Sequence, residues 1–577
     1  MVTKRRLLTT GAVGVTVAAV SLLAACSGGS QPTATQSIKS GNDVSKFVQT
    51  NPQDVSKLDQ GGTLTLPVGS LGPNFNFASN AGFNSDTGAI MAVLNPLLVN
   101  GIWNTKADGT PVLDKDFATS AKEEIKNGVQ KITYELNPKA KYNDGTPFDV
   151  KAFQNMWHAY SGKDKDYTVP STAGYDQIKS VKQGKDSHEV IVTMSKVYEP
   201  YQALFGSPGG LGIIPPQVKT AKQFNNAFTN NLHPEWSAGP FTLKKYDQTA
   251  QTVQFVPNPK WWGEKPVLSN LIFKQYETTA TVAAFKNGEI DATSVSTAAR
   301  LKQLQSTPNS EIRKGQTLGI FGMQFNAKAS GPVSDINVRK AMFQGTDRSA
   351  LTEIRFKGTG WSEELPGSWL VMPWSPYYHD NYPAKFDVAA AKKTLEDDGW
   401  KAGSNGIRSK DGKQLTIKVT KFGDDPTGNA TVQKWQSQMK AIGIDMKIDA
   451  RPSSAFNAFY TKLDYDTVMN VGNGIGTEGT SSLDQYFGKD NTGNITKAGS
   501  DEIDKWIKQA PSIVDPQKRA DMNNKIEGAF FKFYTMLPYV NGPSFLIVHK
   551  GLANYGPSLF QQTDWAKVGW VKGSDHS

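Results

Sequence analysis

Between Leu415 and Ile448 the apolar residues change their period twice. Leu415-Thr416-Ile417-Lys418-Val419 alternates, Val432, Trp435 and Met439 then recur at helical spacing, Gly443 interrupts them, and Ile444-Asp445-Met446-Lys447-Ile448 alternates again. Period two places every second side chain on one face of a strand, whereas the longer period builds the apolar stripe of a helix. Gly443 stands where a left-handed cap ends that helix. Two strands joined through one helix are parallel and take the right-handed crossover, so this part of the chain predicts a helix-covered sheet. The same mixture occurs earlier. Thr63-Leu64-Thr65-Leu66, Ile132-Thr133-Tyr134-Glu135-Leu136 and Val190-Ile191-Val192-Thr193-Met194 alternate, and residues 149–160 set Val150, Phe153, Met156 and Trp157 on one helical face. The fold class is α/β throughout.

The chain has 577 residues, with 28 Phe, 18 Tyr and 13 Trp. At about 150 residues per domain, that length supports several cores or one large multi-lobed unit. Mean hydropathy is −0.45. After the first 26 residues no apolar run approaches the roughly 18 to 20 residues a membrane-spanning helix requires. The formal charge of +10 includes Lys4, Arg5 and Arg6, and without that segment it is +7. No run of five Lys or Arg occurs in the sequence. The charge is thinly spread, and nucleic acid is not an expected partner.

Residues 1–26 combine the basic Lys4-Arg5-Arg6, an apolar stretch over 11–23, and Leu23-Ala24-Ala25-Cys26. Charge, a short apolar segment and small residues in that order form an export signal. The last four resemble the bacterial lipobox, in which the thiol is acylated and becomes the first residue of the mature chain. Cys26 is the only cysteine and has no disulfide partner. Lipidation of Cys26 would anchor the protein at the extracytoplasmic face of the cell membrane, with about 0.8 kcal/mol gained per buried CH₂. Arg5-Arg6 also resembles a twin-arginine signal, although the general secretory route is favoured. Residues 27–60 are mostly Ser, Gly, Gln, Thr, Asn, Asp and Lys, and they read as a flexible tether.

Six histidines, at 158, 188, 233, 379, 549 and 576, lie far apart and have no cysteine partners. This spacing supports no metal centre, and no cofactor is expected. A nucleophile elbow and a phosphate-binding glycine loop are both missing from the sequence. An enzyme is therefore not expected, although a hydrolase built on dispersed carboxylates remains an alternative, since such acids have no fixed spacing.

Several strings occur in a characteristic order. They are Tyr142-Asn143-Asp144-Gly145-Thr146-Pro147-Phe148-Asp149-Val150, Gly239-Pro240-Phe241 with Asn258-Pro259-Lys260-Trp261-Trp262-Gly263, and Phe285-Lys286-Asn287-Gly288-Glu289-Ile290-Asp291. Phe325-Asn326, then Asp335-Ile336-Asn337-Val338-Arg339-Lys340-Ala341 with Thr346-Asp347-Arg348, then Phe386-Asp387 to Gly399-Trp400 complete the series. Each has a structural reading. Asn143-Asp144-Gly145 and Asn287-Gly288 are turns, Asp149 and Asp387 are helix caps, the tryptophan pair covers a core edge, and Arg339, Asp347 and Arg348 form a polar network beside a helix. Together, over about 61–550, they resemble the family 5 extracellular solute-binding proteins, the dipeptide- and oligopeptide-binding lipoproteins of ABC importers.

That resemblance implies a two-lobed periplasmic-binding-protein-like fold (type II, cluster C), with an extra subdomain in the first lobe and a hinge between lobes. The division it implies is a signal peptide over 1–26, the tether over 27–60, lobe I over 61–315, lobe II over 316–540, and a segment returning to lobe I over 541–577. The expected function is capture of a solute, most simply an oligopeptide, and its delivery to the permease subunits by a monomeric receptor. Sugars, metal chelates and other amphiphiles are alternative cargoes, and a ligand-sensing lipoprotein is an alternative role.

Peptide-binding members hold an extended ligand against protein strands. The matching edge is Asp466-Thr467-Val468-Met469-Asn470-Val471, followed by the glycine-rich stretch over 472–479, read as a loop. Those members usually carry a Gly-Trp pair and an Asp there, the carboxylate holding the peptide's ammonium group. This sequence has neither, and Glu478 is the nearest acid, read either as a substitute anchor or as a solvated loop acid. The ligand-binding candidates are Ser70 and Leu71 on the first lobe, Trp361 and Trp374 in a loop that could line the cleft, and Met469, Asn470, Asn473 and Glu478 on the second.

Overall fold

A computed structural model describes residues 44–206, 211–295, 297–360, 364–473 and 478–574. In the first lobe, the strand Thr63–Val68 runs parallel to Asn270–Gln275, which pairs antiparallel with Thr252–Pro257 and, beyond it, Phe241–Asp247. Leu64, Leu66 and Val68 alternate inward, as their spacing predicts, against Val253, Phe255, Leu271 and Phe273. Each such side chain contributes about 1.5–3 kcal/mol when removed from water. The inserted subdomain is a separate antiparallel sheet of Ala118–Lys126, Val129–Leu136, Glu189–Met194 and Ile178–Gln183. Asn127 and Gly128, both at positive φ, turn its first hairpin in two residues. The helix Val150–Tyr160, capped by the Asp149 carboxylate, lays Phe153, Met156 and Tyr160 into the core.

The second lobe carries a five-stranded sheet in the order Asp445–Arg451, Thr416–Phe422, Thr467–Asn473, Gly319–Phe325, Met536–Val540. Thr416–Phe422 and Asp445–Arg451 are parallel neighbours joined through the helix Pro426–Ala441, as the periodicity requires. Gly443 follows that helix at φ 92°. Trp435 is fully buried and donates from Nε1 to the Thr346 hydroxyl at 2.8 Å.

The chain leaves the first lobe at the end of Ser310–Gln316, enters the second at Gly319–Phe325, and returns from Met536–Val540 to Pro543–His549. That returning strand pairs with both Ala292–Val295 and Ser310–Gln316. Asn541 ties the two crossings together, donating to Thr317 O at 3.0 Å and Gly319 O at 2.8 Å and accepting from Gln316 Nε2 at 2.9 Å. Two short connections side by side, with large lobes on either side, make a hinge. Among the described residues, no helix is long and apolar enough to cross a membrane.

One expectation is corrected here. Residues 44–60, assigned to the flexible tether, are packed against the body. Phe47 is buried with Ile320, Trp374 and Phe560, and Leu58 with Val267 and Ala553. Gln49 N donates to Pro557 O and Asp59 N to Trp570 O. The segment is polar on average, but its few apolar side chains find partners at the far end of the chain, and burying them offsets the cost of ordering it. Residues 27–43 and Cys26 lie outside the described residues.

Candidate functional site

In both lobes the parallel strands point their carboxyl ends at the same crevice, the place where open α/β sheets present ligand sites. On the first-lobe side, Thr63–Val68 runs into Gly69-Ser70-Leu71, and Asn270–Gln275 runs towards Glu277 and Thr279. The Asp86 carboxylate, in the first turn of the helix Ser85–Leu94, accepts the N–H groups of Gly69 and Ser70, and burial pushes its pKa above the ordinary carboxylate range. Leu71 N donates to Gln275 Oε1 at 3.0 Å, and the Tyr246 hydroxyl donates to Leu71 O at 3.4 Å. On the second-lobe side the crevice is edged by Asp424 and Asp425, which follow Thr416–Phe422, and by the end of Thr467–Asn473.

The lobes touch at both lips. At one, the Thr279 hydroxyl donates to Asp424 and the Ser453 hydroxyl donates to Glu277 at 3.1 Å. At the other, Glu199 N donates to Pro511 O at 2.7 Å and the Ser512 hydroxyl to Val197 O at 2.8 Å. Arg519 completes this lip. Its Nε and Nη2 each lie 2.8 Å from Glu478 Oε1, and its Nη1 lies 3.9 Å from Glu199 of the first lobe.

The sequence-predicted residues are scattered differently from expectation. Ser70 and Leu71 directly follow the strand Thr63–Val68, with the Ser70 hydroxyl donating to Gly72 O at 3.0 Å. Met469 faces the opposite way, packing half-buried beside the core of the helix-covered face, in register with Met323. Trp374 does not line a cleft. It is 5% exposed and meets Phe560 edge-on at 6.0 Å between centroids, in a cluster that joins the second lobe to the C-terminal segment. Asn470 and Asn473 belong to the strand Thr467–Asn473, which extends two residues into the stretch read as a loop. Trp361 lies outside the described residues.

Glu478 is neither a solvated acid nor a free anchor. Oε1 is taken by Arg519, and Oε2 is enclosed without a hydrogen-bond partner. Burial raises its pKa, and Arg519 opposes that rise. This pairing removes the open carboxylate that an ammonium anchor needs.

The expected polar network is structural, as read. Arg339 donates to the carbonyls of Phe533, Val333 and Ser334, and Arg348 donates to those of Pro366 and Pro538 while stacking on Tyr382 at 3.6 Å. Asn258 donates to Asn143 Oδ1 at 2.9 Å, so two of the strings found in the sequence are knotted together in space.

Sequence reasoning passed over Arg355. The helix Arg348–Phe356 buries Leu351, Thr352, Arg355 and Phe356, which places a guanidinium inside an apolar stripe. That intrusion is readable in the sequence, because Arg355 falls at i+4 from Leu351.

Comparison with known proteins agrees with this architecture. Residues 113–494 match the family described as bacterial extracellular solute-binding proteins, family 5. The chain belongs to that family. As a family 5 member it is a solute-binding protein of the ABC importer class and not an enzyme. It is similar to the oligopeptide-binding protein OppA of Mycobacterium tuberculosis, at 29% identity over 527 residues, covering 90% of this chain and 87% of that one. Among solved structures it resembles the periplasmic EDTA-binding protein EppA, with a TM-score of 0.78 and 22% identity, covering 92% of this chain and 100% of that one. The oligopeptide-binding protein AppA of Bacillus subtilis, solved with a nonapeptide, superposes with a TM-score of 0.76 at 21% identity, covering 89% and 100% of the two chains. These likenesses establish the two-lobed fold of a family 5 protein.

Proposed function

We propose that this protein is a lipid-anchored receptor at the extracytoplasmic face of the membrane, which captures oligopeptides between its lobes and presents them to the permease subunits of an ABC importer. The observation that carries the reading is a gap in the second-lobe sheet. Thr467–Asn473 pairs along its whole length with Gly319–Phe325, but with Thr416–Phe422 only at Thr467 and Val468. Among the described residues, no strand pairs with that other side of residues 469–473, which is where the strand reaches the crevice.

An extended peptide supplies what such a strand lacks. Main-chain hydrogen bonds give affinity whatever the side chains are, so recognition by this route tolerates varied sequences. Ser70 and Leu71, on the loop after Thr63–Val68, face the same crevice from the first lobe and would close on the ligand's other side. Closure is then a population shift, worth as much as the ligand's extra contacts in the closed form. The similarity to a relative named for oligopeptide binding supports the cargo. The motif ending at Cys26 supports the anchor, and the division into lobes over 61–315 and 316–540, with 541–577 returning, suits a hinge at Asn541.

The test is native mass spectrometry of the protein purified without residues 1–26, before and after mild unfolding. A ladder of peptide masses released on unfolding is expected. A single non-peptide mass, such as a metal chelate, would replace the peptide reading with a dedicated carrier of that solute. For the anchor, Cys26→Ala is expected to release the protein from the membrane fraction, and unchanged fractionation would refute it.

A further inference from the structure

Two short connections join the lobes, and a third piece of chain lies across them. Residues 49–53 run beside residues 552–557 of the C-terminal segment. Tyr555 N donates to Thr50 O at 3.0 Å, Gln49 N to Pro557 O at 2.9 Å, and Gln53 N to the Asn554 side chain at 2.8 Å. The same residues hold the outgoing strand Ser310–Gln316. The Gln49 side chain accepts Lys314 N at 2.6 Å, and Arg313, 3% exposed, donates to Thr50 O at 3.4 Å. Gly315 makes room for this contact. Its φ is not positive, so the backbone does not call for glycine there, but a Cβ would lie 2.8 Å from Phe47 O, closer than a side chain can come.

Phe47 then reaches the other lobe. It is 7% exposed and packs with Phe560 of the C-terminal segment and with Leu318, Ile320, Met372 and Trp374. Leu318 stands on the outgoing connection itself, between Ser310–Gln316 and Gly319–Phe325, and Ile320 is the second residue of the second-lobe strand. The returning connection meets the same cluster, because Asn541 Nδ2 donates to Met372 Sδ at 3.3 Å. One phenyl ring is thus wedged among both lobes and both crossings. Leu58, further along the same segment, packs with Val267 and Ala553 on the first-lobe side alone. Close-packed side chains have discrete arrangements and do not deform smoothly, so a cluster built from both sides of a hinge favours the lobe position in which it is complete. That position is the one described above, with both lips in contact.

We infer that residues 44–50 are a strap across the hinge, with Phe47 as its wedge, and that the strap favours the arrangement in which the lips touch. The part of the chain nearest the N-terminal export signal is then a third element of the hinge. A ligand that needs the lobes together binds against a smaller opening penalty, because the competent arrangement is already populated. The inference goes beyond the capture of any particular cargo.

Pulsed electron resonance across the lip tests it without a ligand. The chain without residues 1–26 has no cysteine, so Lys126→Cys on the inserted subdomain and Lys518→Cys on the second lobe, both exposed, take the only spin labels. In this background the lips are expected to hold a population at the short distance. Phe47→Ala is expected to raise the ratio of separated to touching lips about fivefold, and Phe47→Leu by less. Leu58→Ala loosens the segment from the first lobe alone and is expected to leave the ratio unchanged. An unchanged ratio in Phe47→Ala overturns the strap and leaves Phe47 as packing for the chain end. Equal shifts in Phe47→Ala and Leu58→Ala overturn it as well, because the effect then comes from loosening the whole segment. Lips that stand apart at all times in the labelled background overturn it too, since the strap then fails to hold them. Where Phe47→Ala does not fold, Phe47→Leu and Phe47→Met are judged by the same comparison with Leu58→Ala. No peptide enters the measurement, so its outcome and the identity of the cargo are decided separately.

Discussion

Arg519, at the lip of the crevice, and Arg355, in the helix Arg348–Phe356, are both buried in the second lobe, 9% and 7% exposed, yet their surroundings differ completely. Arg519 holds Glu478, the carbonyls of Ile513 and Val514, and approaches Glu199 across the lips. Arg355 makes no ion pair among the described residues; its guanidinium lies 3.7 Å from the Phe321 ring centroid, with the Tyr539 hydroxyl beside it. Removing a cation that is paired with a buried carboxylate strands that carboxylate, whereas removing one held by an aromatic ring and a hydroxyl leaves no unpaired charge behind. Burial alone therefore says nothing about what an arginine is for.

The contrast can be broken most directly at Arg519. Arg519→Met leaves Glu478 buried without its counterion, and a loss of about 3 kcal/mol is expected from urea unfolding. A loss below about 0.5 kcal/mol, the size of a surface change, would mean that the pair is not structural.

Glu527 sharpens the comparison from the acid side. It is fully enclosed and accepts Trp369 N at 2.7 Å and Asn381 Nδ2 at 3.1 Å, and burial pushes its pKa above the ordinary value. The folded state then holds the proton at pH values where the unfolded state has released it. Unfolding free energy falls as pH rises from the ordinary glutamate value of 4.5 through the raised one. Glu527→Gln removes that contribution, so the slope of stability against pH above 4.5 should flatten. An unchanged slope would show that the carboxyl titrates alike in both states.

Glu478→Gln should act in the same direction more weakly, since Arg519 offsets part of the burial that raises its pKa. We expect a change under about 1 kcal/mol at neutral pH, because the amide oxygen still accepts from Arg519. A cost equal to that of Arg519→Met would show instead that the charge on Glu478 is indispensable. The smallest effect is expected at Arg355. Arg355→Met should leave the empty protein's melting temperature unchanged or slightly higher, the reverse of Arg519→Met, and a fall of several degrees would erase the distinction between the two arginines.

Much of the fold was readable where the partners are close along the chain. Asp149 and Asp387 cap their helices as read, the latter accepting Ala390 N at 2.9 Å, and Gly443 ends the crossover helix. Trp261 and Trp262 cover a core edge against Phe117. The misreadings share a different cause. Residues 44–60 look too polar to fold because the partners of Phe47 and Asp59, Phe560 and Trp570, stand some five hundred positions away. Trp374 was expected in a cleft and is used as packing between distant segments. Glu478 carries no local sign of Arg519, which comes from another helix. Of the candidate site, the ends of the strands Thr63–Val68 and Thr467–Asn473 were legible because a strand's end can be counted along the sequence, but the way Met469 faces was not.

Alternation, helical spacing, caps and turns are set by forces acting within a few residues, and from them the sequence by itself determined an α/β chain, its crossover and, through the order of its strings, its family. Which acid meets which arginine and which strand edge stays unpaired depend on how separate segments pack around a crevice. Those were decided only by the tertiary structure, because the free energy of a buried charge depends on neighbours that the chain brings together from hundreds of residues apart.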